Sequence, residues 1–303
     1  MGPWCGRQLT GRMTANGNDG RDMMDGRGTK GMTVVVTGAS GRTGRRVAEA
    51  ARAAGLGVRP ASRAHGFDWD SPAGWADVLR GADAAYLVHP ADVGAPAAAE
   101  AVGRLAREAV GLGVRRLVLL SARGEEQALA TEAALRESGA DWTVVRAAWF
   151  AQNFSEGPLV EELRQGGELV FCGGAVREPF VDVRDVAEVV VAALTAGDRY
   201  VGEVVEVSGP RLLTFGEAVA EVAGAAGREL SYRPVPAREY GERLAGFGLP
   251  PEEVAFLVEV FESLLDGRNA CLSDGVRRVL GREPRDFAEY AAEAAAAGAW
   301  KAP

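Results

Sequence analysis

The residues with the most chemical potential sit together in Gly38-Ala39-Ser40-Gly41-Arg42-Thr43-Gly44. This turn follows the β-branched run Thr33-Val34-Val35-Val36-Thr37 and opens the stretch Arg42 to Ala54, which reads as a helix. Gly38 permits a turn that would crowd a Cβ, Gly41 lets the backbone approach a phosphate, and Gly44 allows the helix to pack close to the strand. The helix N-terminus supplies N–H donors and a partial positive charge, with Ser40, Arg42 and Thr43 in the same cradle. Three glycines mean little in a chain with 40 of them. Their place between a first strand and a first helix makes the signal strong for a dinucleotide phosphate.

The second strand selects the cofactor. It ends Val58-Arg59-Pro60-Ala61-Ser62-Arg63, without the carboxylate that would accept the ribose hydroxyls of NAD. Ser62 and Arg63 suit a 2′-phosphate instead, with Arg42 reaching in from the glycine turn. NADP(H) is the expected cofactor.

Much of the usual catalytic equipment is missing. The only lysines are Lys30 and Lys301, the other 32 basic residues are arginines, and the only histidines are His65 and His89. Between the two lysines there is no amine for a Schiff base, a P-loop or a catalytic ammonium. Trp149, Phe150 and Asn153 form an aromatic and amide set just past a strand, where ligands of doubly wound sheets bind, and flat walls suit a planar or cationic small molecule. Asp182 and Asp185 look paired for carboxylate chemistry, but Asp185 is expected to cap the helix from Val186 to Leu194.

The elements that must position these residues alternate in type. Strands are expected at Val58 to Ser62, Ala84 to Val88, Arg116 to Leu120 and Trp142 to Val145. Helices are expected at Ser71 to Leu79, Ala97 to Val110 and Glu125 to Glu137. That rhythm predicts an α/β, Rossmann-type doubly wound parallel sheet. After Trp149 short strands and helices suggest a smaller, partly interleaved C-terminal α/β lobe. The expected division is a disordered extension over 1–31, an NADP-binding domain over 32–155 whose sheet is completed by later strands, and a substrate-binding lobe over 156–303. Residues Ala291 to Ala299 read as a helical or frayed tail.

Composition narrows the classes further. The chain has 303 residues, 47% of them hydrophobic, and a net charge of −8, so nucleic acid is not the expected partner. Cys5, Cys172 and Cys271 lack metal-ligand or CxxC spacing, which points to a reducing cytoplasm and no metal site. No apolar run approaches the ~20 residues of a membrane span. Oligomeric state is left open, a homodimer being compatible.

TGASGRTG, ASR, FDWDSP, AYLVHP, VRRLVLLSARG, WTVVRAAWFAQNF and FVDVRDVAEVVVAAL occur in this order and resemble NmrA-like proteins, atypical short-chain dehydrogenase/reductase relatives. The resemblance runs from about Thr33 to Tyr290. FDWDSPAGW, WFAQNFSEG and GPRLLTFGEAVAEVAGAAGREL are most similar to the ergot-alkaloid-type, agroclavine dehydrogenase-like reductases. The resemblance implies that Asp68 and Trp69 bracket adenine and that Val88, His89 and Pro90 pass the nicotinamide ribose. It places Ser121 at the family's serine position and the segment from Ala147 to Phe150 beside nicotinamide and substrate. There Ala147-Ala148 replaces the family's Pro-Gly. His89 is a candidate donor near the nicotinamide or a strand-end cap.

One departure matters for mechanism. Many short-chain dehydrogenases use Tyr-x-x-x-Lys as proton donor, yet neither residue occurs between Ser121 and Trp142. Iminium, quinone or conjugated acceptors demand less of a donor, so an NADPH-dependent reductase in specialised metabolism is the expected function. A non-catalytic NADP(H) sensor is the alternative, discriminated by whether the nicotinamide end is open or filled. An epimerase or dehydratase would need acid and base groups that the sequence supplies poorly.

Overall fold

The computed structural model describes residues 31–157 and 159–301. The extension expected over 1–31 lies outside them except for Gly31, an exposed turn residue. In chain order the elements begin β1 (Thr33–Thr37), α1 (Arg42–Ala53), β2 (Gly57–Ala61), α2 (Trp75–Leu79), β3 (Ala84–Leu87) and α3 (Ala98–Gly111). They continue β4 (Arg116–Ala122), α4 (Ala128–Arg136), β5 (Asp141–Ala147), α5 (Asn153–Glu156), β6 (Glu168–Phe171), β7 (Arg177–Glu178) and α6 (Val183–Thr195). The remainder is β8 (Glu203–Val207), β9 (Leu213–Thr214), α7 (Phe215–Ala226), β10 (Ser231–Pro234), α8 (Ala237–Gly246), α9 (Pro251–Leu264), α10 (Gly275–Leu280) and α11 (Phe287–Ala296).

Six strands form one parallel sheet in the order β2-β1-β3-β4-β5-β8. Val34, Val35 and Val36 are fully buried because both faces of β1 are covered, so the strand reads as a continuous apolar run. One face packs against α1 and α6 through Val47, Ala51, Val186 and Val190; the other packs against α2 and α3 through Trp75, Leu79, Leu105 and Ala109. The order reverses between β1 and β3, and the crevice at such a switch point is where doubly wound sheets bind ligands. Thr37 fastens that point: its hydroxyl donates to the Tyr86 carbonyl (3.1 Å) and accepts from the Val88 N–H (2.8 Å).

The remaining strands pair outside the main sheet, β10 with β6 and β7 with β9. A third apolar cluster joins them to α7, α8 and α11 around Phe154, Phe171, Phe180, Phe215, Phe287 and Trp300. The expected interleaving is visible in β8, which lies late in the sequence yet completes the sheet beside β5. Several boundaries shift. The helix expected from Ser71 is a 3₁₀ turn over Pro72–Gly74 before α2 begins at Trp75. The helix expected from Glu125 begins at Ala128, which frees Glu125 to sit in a loop. The alanine-rich tail is the end of α11, whose start is capped by Asp286 accepting from the Ala288 N–H. Asp182, not Asp185, caps α6 by accepting from the Arg184 N–H, while Asp185 pairs with Arg282 and Arg285.

Candidate functional site

A cleft of about 770 Å³ runs along the C-terminal ends of β1 to β5. Its first part is the glycine turn. Gly38 has a positive φ of 59°, and a Cβ there would lie 2.8 Å from Val88 Cγ1. A Cβ on Gly44 would collide with the Gly38 carbonyl, so the helix can pack this close only without a side chain. No side chain caps α1 and its first turn holds no acidic residue, which leaves its leading N–H groups to an anion. Gly38, Ser40, Gly41, Arg42 and Thr43 line the cleft; Gly44 stands behind them as packing.

The second part lies at the end of β2. Ser62, Arg63, Asp68 and Trp69 line the cleft here. Arg63 is exposed and makes no ion pair or side-chain hydrogen bond among the described residues. The Ser62 hydroxyl lies 2.8 Å from His65 Nδ1. Trp69 is buried in an edge-on cluster with Phe67 and Trp75, and Trp75 Nε1 donates to the Asp68 carbonyl (2.7 Å). Arg42 does not join this cationic end. Its guanidinium donates to Asn153 Oδ1, in α5 after β5, and burial holds its pKa below the usual arginine value. β2 and β5 stand four strand spacings apart, about 19 Å. Glu156, whose charge opposes that lowering, lies nearby and pairs with Arg45 (2.5 Å) and Arg46 (2.5 Å).

The third part is where reaction chemistry could occur. Val88, His89, Ser121, Trp149, Phe150 and Asn153 all line it. His89 stacks edge-on with Trp69 at 5.3 Å, its Nδ1 is buried without a partner, and burial pushes its pKa down against the raising influence of Asp92 and Asp70. Trp149 packs on Phe171, Phe215 and Phe261, and its buried Nε1 has no partner. Leu257, Val260, Phe261 and Leu264 of α9 face the same space and make its far wall apolar.

The Ser121 hydroxyl is already engaged, donating to Glu132 Oε1 (2.8 Å). Glu132 is fully buried and takes two further bonds from Arg146 (2.7 Å each) and one from Arg136 (2.9 Å). The helix after β4, where the dehydrogenase dyad would stand, therefore presents a neutralised carboxylate network.

Asp92, Arg123 and Glu125 line the cleft as well, with no motif in the sequence to mark them. Arg123 is buried and held by the Cys271 carbonyl (2.7 Å) and Glu206 (3.2 Å). Glu125 is 3% exposed, and neither carboxylate oxygen finds a hydrogen-bond partner of good geometry. Burial first, and then the neighbouring Asp92 carboxyl, push it up to about 9. A carboxylate after Ser-Ala-Arg-Gly carries no sequence signal of that burial. Among the described residues, no cluster of His, Cys, Asp or Glu could hold a metal, and no helix is long and apolar enough to cross a membrane.

No protein-family model matches the chain. It is 30% identical over 275 residues to an uncharacterized oxidoreductase, YesF, of Bacillus subtilis, covering 87% of this chain and 95% of that one. It is 32% identical over 296 residues to a (4-alkanoyl-5-oxo-2,5-dihydrofuran-3-yl)methyl phosphate reductase of Streptomyces griseus, covering 87% and 98%. It is 28% identical to agroclavine dehydrogenase of Claviceps fusiformis, covering 86% and 97%. Among solved structures, the fold is similar to an NADPH-dependent quinone oxidoreductase of Escherichia coli in complex with NADPH (TM-score 0.69, 19% identity, covering 86% of this chain and 99% of that one). It is also similar to NmrA, a negative transcriptional regulator, in complex with NAD (TM-score 0.68, 16% identity, covering 87% and 95%). With the switch-point cleft, the glycine cradle and these relatives together, the chain belongs to the family of NAD(P)H-dependent oxidoreductases that these relatives represent, and its fold is the one NmrA shares.

Proposed function

We propose that the protein is an NADPH-dependent reductase of a flat, electrophilic small molecule, an iminium, a quinone or a conjugated carbonyl, acting in specialised metabolism. The observation that carries this reading is the continuation of the cleft beyond the glycine turn into a chamber walled by Trp149 and α9. A sensor needs only a cofactor seat, and its nicotinamide end can be filled. Here the cleft is open and apolar past that end, which favours turnover over sensing.

The residues present fit the dinucleotide. A Cβ would fill the cradle at Gly38 and Gly44, and the uncapped N-terminus of α1 offers donors to a pyrophosphate. Ser62 and Arg63 would hold the 2′-phosphate, Asp68 and Trp69 the adenosine end, and Val88 and His89 the ribose nearer the reaction. When bound, the nicotinamide supplies a hydride. The chain aligns the acceptor: Trp149 and Phe261 offer aromatic walls, and the apolar α9 face excludes water.

The test follows NADPH consumption by purified protein with N-methyl-3,4-dihydroisoquinolinium, 1,4-naphthoquinone and cyclohex-2-en-1-one. At least one is expected to be reduced, with NADPH preferred to NADH. Tight NADPH binding without consumption across the panel would instead support a non-catalytic regulator.

A further inference from the structure

We propose that Glu125 is the proton donor of the reduction and Asp92 its route to solvent, so that the site serves acceptors that must gain a proton, conjugated carbonyls above all. This rests on the reductase reading and deepens it. Two buried glutamates, Glu125 and Glu132, flank the start of α4. Glu132 is saturated by Ser121, Arg136 and Arg146, so it is a structural anchor. Glu125 has no such partners, yet it is 3% exposed and lines the same chamber as Trp149 and the α9 wall.

Burial and the adjoining Asp92 carboxyl both disfavour the charged form of Glu125, and the Gly94 backbone offsets them only in part, so it stays neutral and keeps its O–H. Room for it is built in: a Cβ on Gly94 would overlap Glu125 Oε1. The charged group that acts on it is Asp92, whose Oδ1 accepts from the Gly94 N–H (2.8 Å) and whose side chain is part-exposed. His89 is the other titratable group on that loop, and burial lowers its pKa. Arg123 is held by Cys271 and Glu206, and Glu126 points its charge to Arg268. The α9 residues facing the chamber are apolar.

Hydride from the reduced nicotinamide forms a C–H bond at the β-carbon of the conjugated carbonyl, and the π electrons move to its oxygen. The Glu125 O–H bond breaks and its proton goes to the resulting enolate. Glu125, left as carboxylate beside Asp92, recovers a proton from water through Asp92. An iminium acceptor needs no such proton, because hydride addition gives the neutral amine directly.

The experiment has two arms. In the protein without cofactor, infrared difference spectra of wild type against E125Q are expected to show a protonated carboxyl at pH 7 that is missing in the variant. With NADPH, the ratio of turnover on cyclohex-2-en-1-one to that on N-methyl-3,4-dihydroisoquinolinium is expected to fall on the order of 100-fold in E125Q. Wild-type enone turnover should be level at neutral pH and fall above about 9, and D92N should move that limb to lower pH. Should E125Q fail to fold, the D92N shift decides. An absent carboxyl band, an unchanged ratio or an unmoved limb each overturns the assignment. A wild type that reduces neither acceptor overturns the reductase reading itself, a different result.

Discussion

The two ends of the cleft are built from different material. The phosphate end is backbone: a glycine turn, the first N–H groups of α1 and the tight approach of Gly44 to Gly38, all within one strand–turn–helix unit. The reaction end is side chains from four separate stretches, with Asp92 after β3, Glu125 after β4, Trp149 after β5 and Phe261 on α9. A backbone site tolerates almost no change at its glycines but places few demands on their neighbours. A side-chain site can be altered residue by residue without touching the fold. Cofactor binding should therefore be brittle at a few positions, and acceptor choice should be tunable at many.

The sharpest way to break this comparison is at Gly44. G44A drives a methyl group into the Gly38 carbonyl, which is backbone and cannot swing aside. NADPH affinity, read by fluorescence titration, is expected to fall at least about 100-fold, with the thermal midpoint lower by several degrees. An alanine variant that binds NADPH normally would mean that the turn is packing alone. Next in size is Arg63, the side-chain part of the cofactor end. R63A is expected to weaken NADPH by about 10-fold and leave NADH unchanged, since only one carries the 2′-phosphate. Equal losses for both cofactors would place Arg63 elsewhere than on that phosphate.

The same contrast explains what could be read from the residues. The glycine spacing and the alternation of strands with helices are local signals, and both led to the parallel sheet. Arg42 was legible as a cation at the turn but not in its direction, because the Asn153 that accepts its bond lies across the sheet. Glu125 was invisible: its chemistry comes from burial by the Asp92 loop, and no pattern within its own segment encodes that. Nothing in the sequence of α9 says that Phe261 meets Trp149. Ser121 was legible by position, while its partner Glu132 was not legible as the group that occupies its hydroxyl.

A buried carboxyl outside the cleft lining gives a control of intermediate size. Glu178 is 1% exposed, unpartnered, and pushed up to about 8, by burial first and by Asp266 against the opposing pull of Arg123. The unfolded chain releases that proton near pH 4.3, so between there and about 8 the folded state holds a proton the unfolded state has lost. The associated stability is complete below the unfolded value and drains as pH rises through the folded one. Scanning calorimetry should show E178Q gaining a few degrees on wild type between pH 5 and pH 8.5. Because Glu178 does not line the cleft, its replacement should leave the enone-to-iminium ratio alone, whereas E125Q should lower it. A similar fall in both variants would mean that burial of any carboxyl near Arg123, and not a donor in the chamber, sets acceptor choice.

The smallest effect is expected at Ser121, and it separates anchor from reactant. S121A removes one of four hydrogen bonds to Glu132, leaving the paired bonds from Arg146 and the bond from Arg136. The loss should be about 1 kcal/mol, a few degrees or less in the thermal midpoint, with turnover within about threefold of wild type. The hydroxyl proton is already committed to a carboxylate, so little donor capacity remains for an acceptor. A fall of 100-fold in turnover with NADPH binding intact would reverse that argument. Ser121 would then touch the substrate, its bond to Glu132 would serve to orient the hydroxyl, and the reaction end would begin at β4 itself instead of in the loop that follows it.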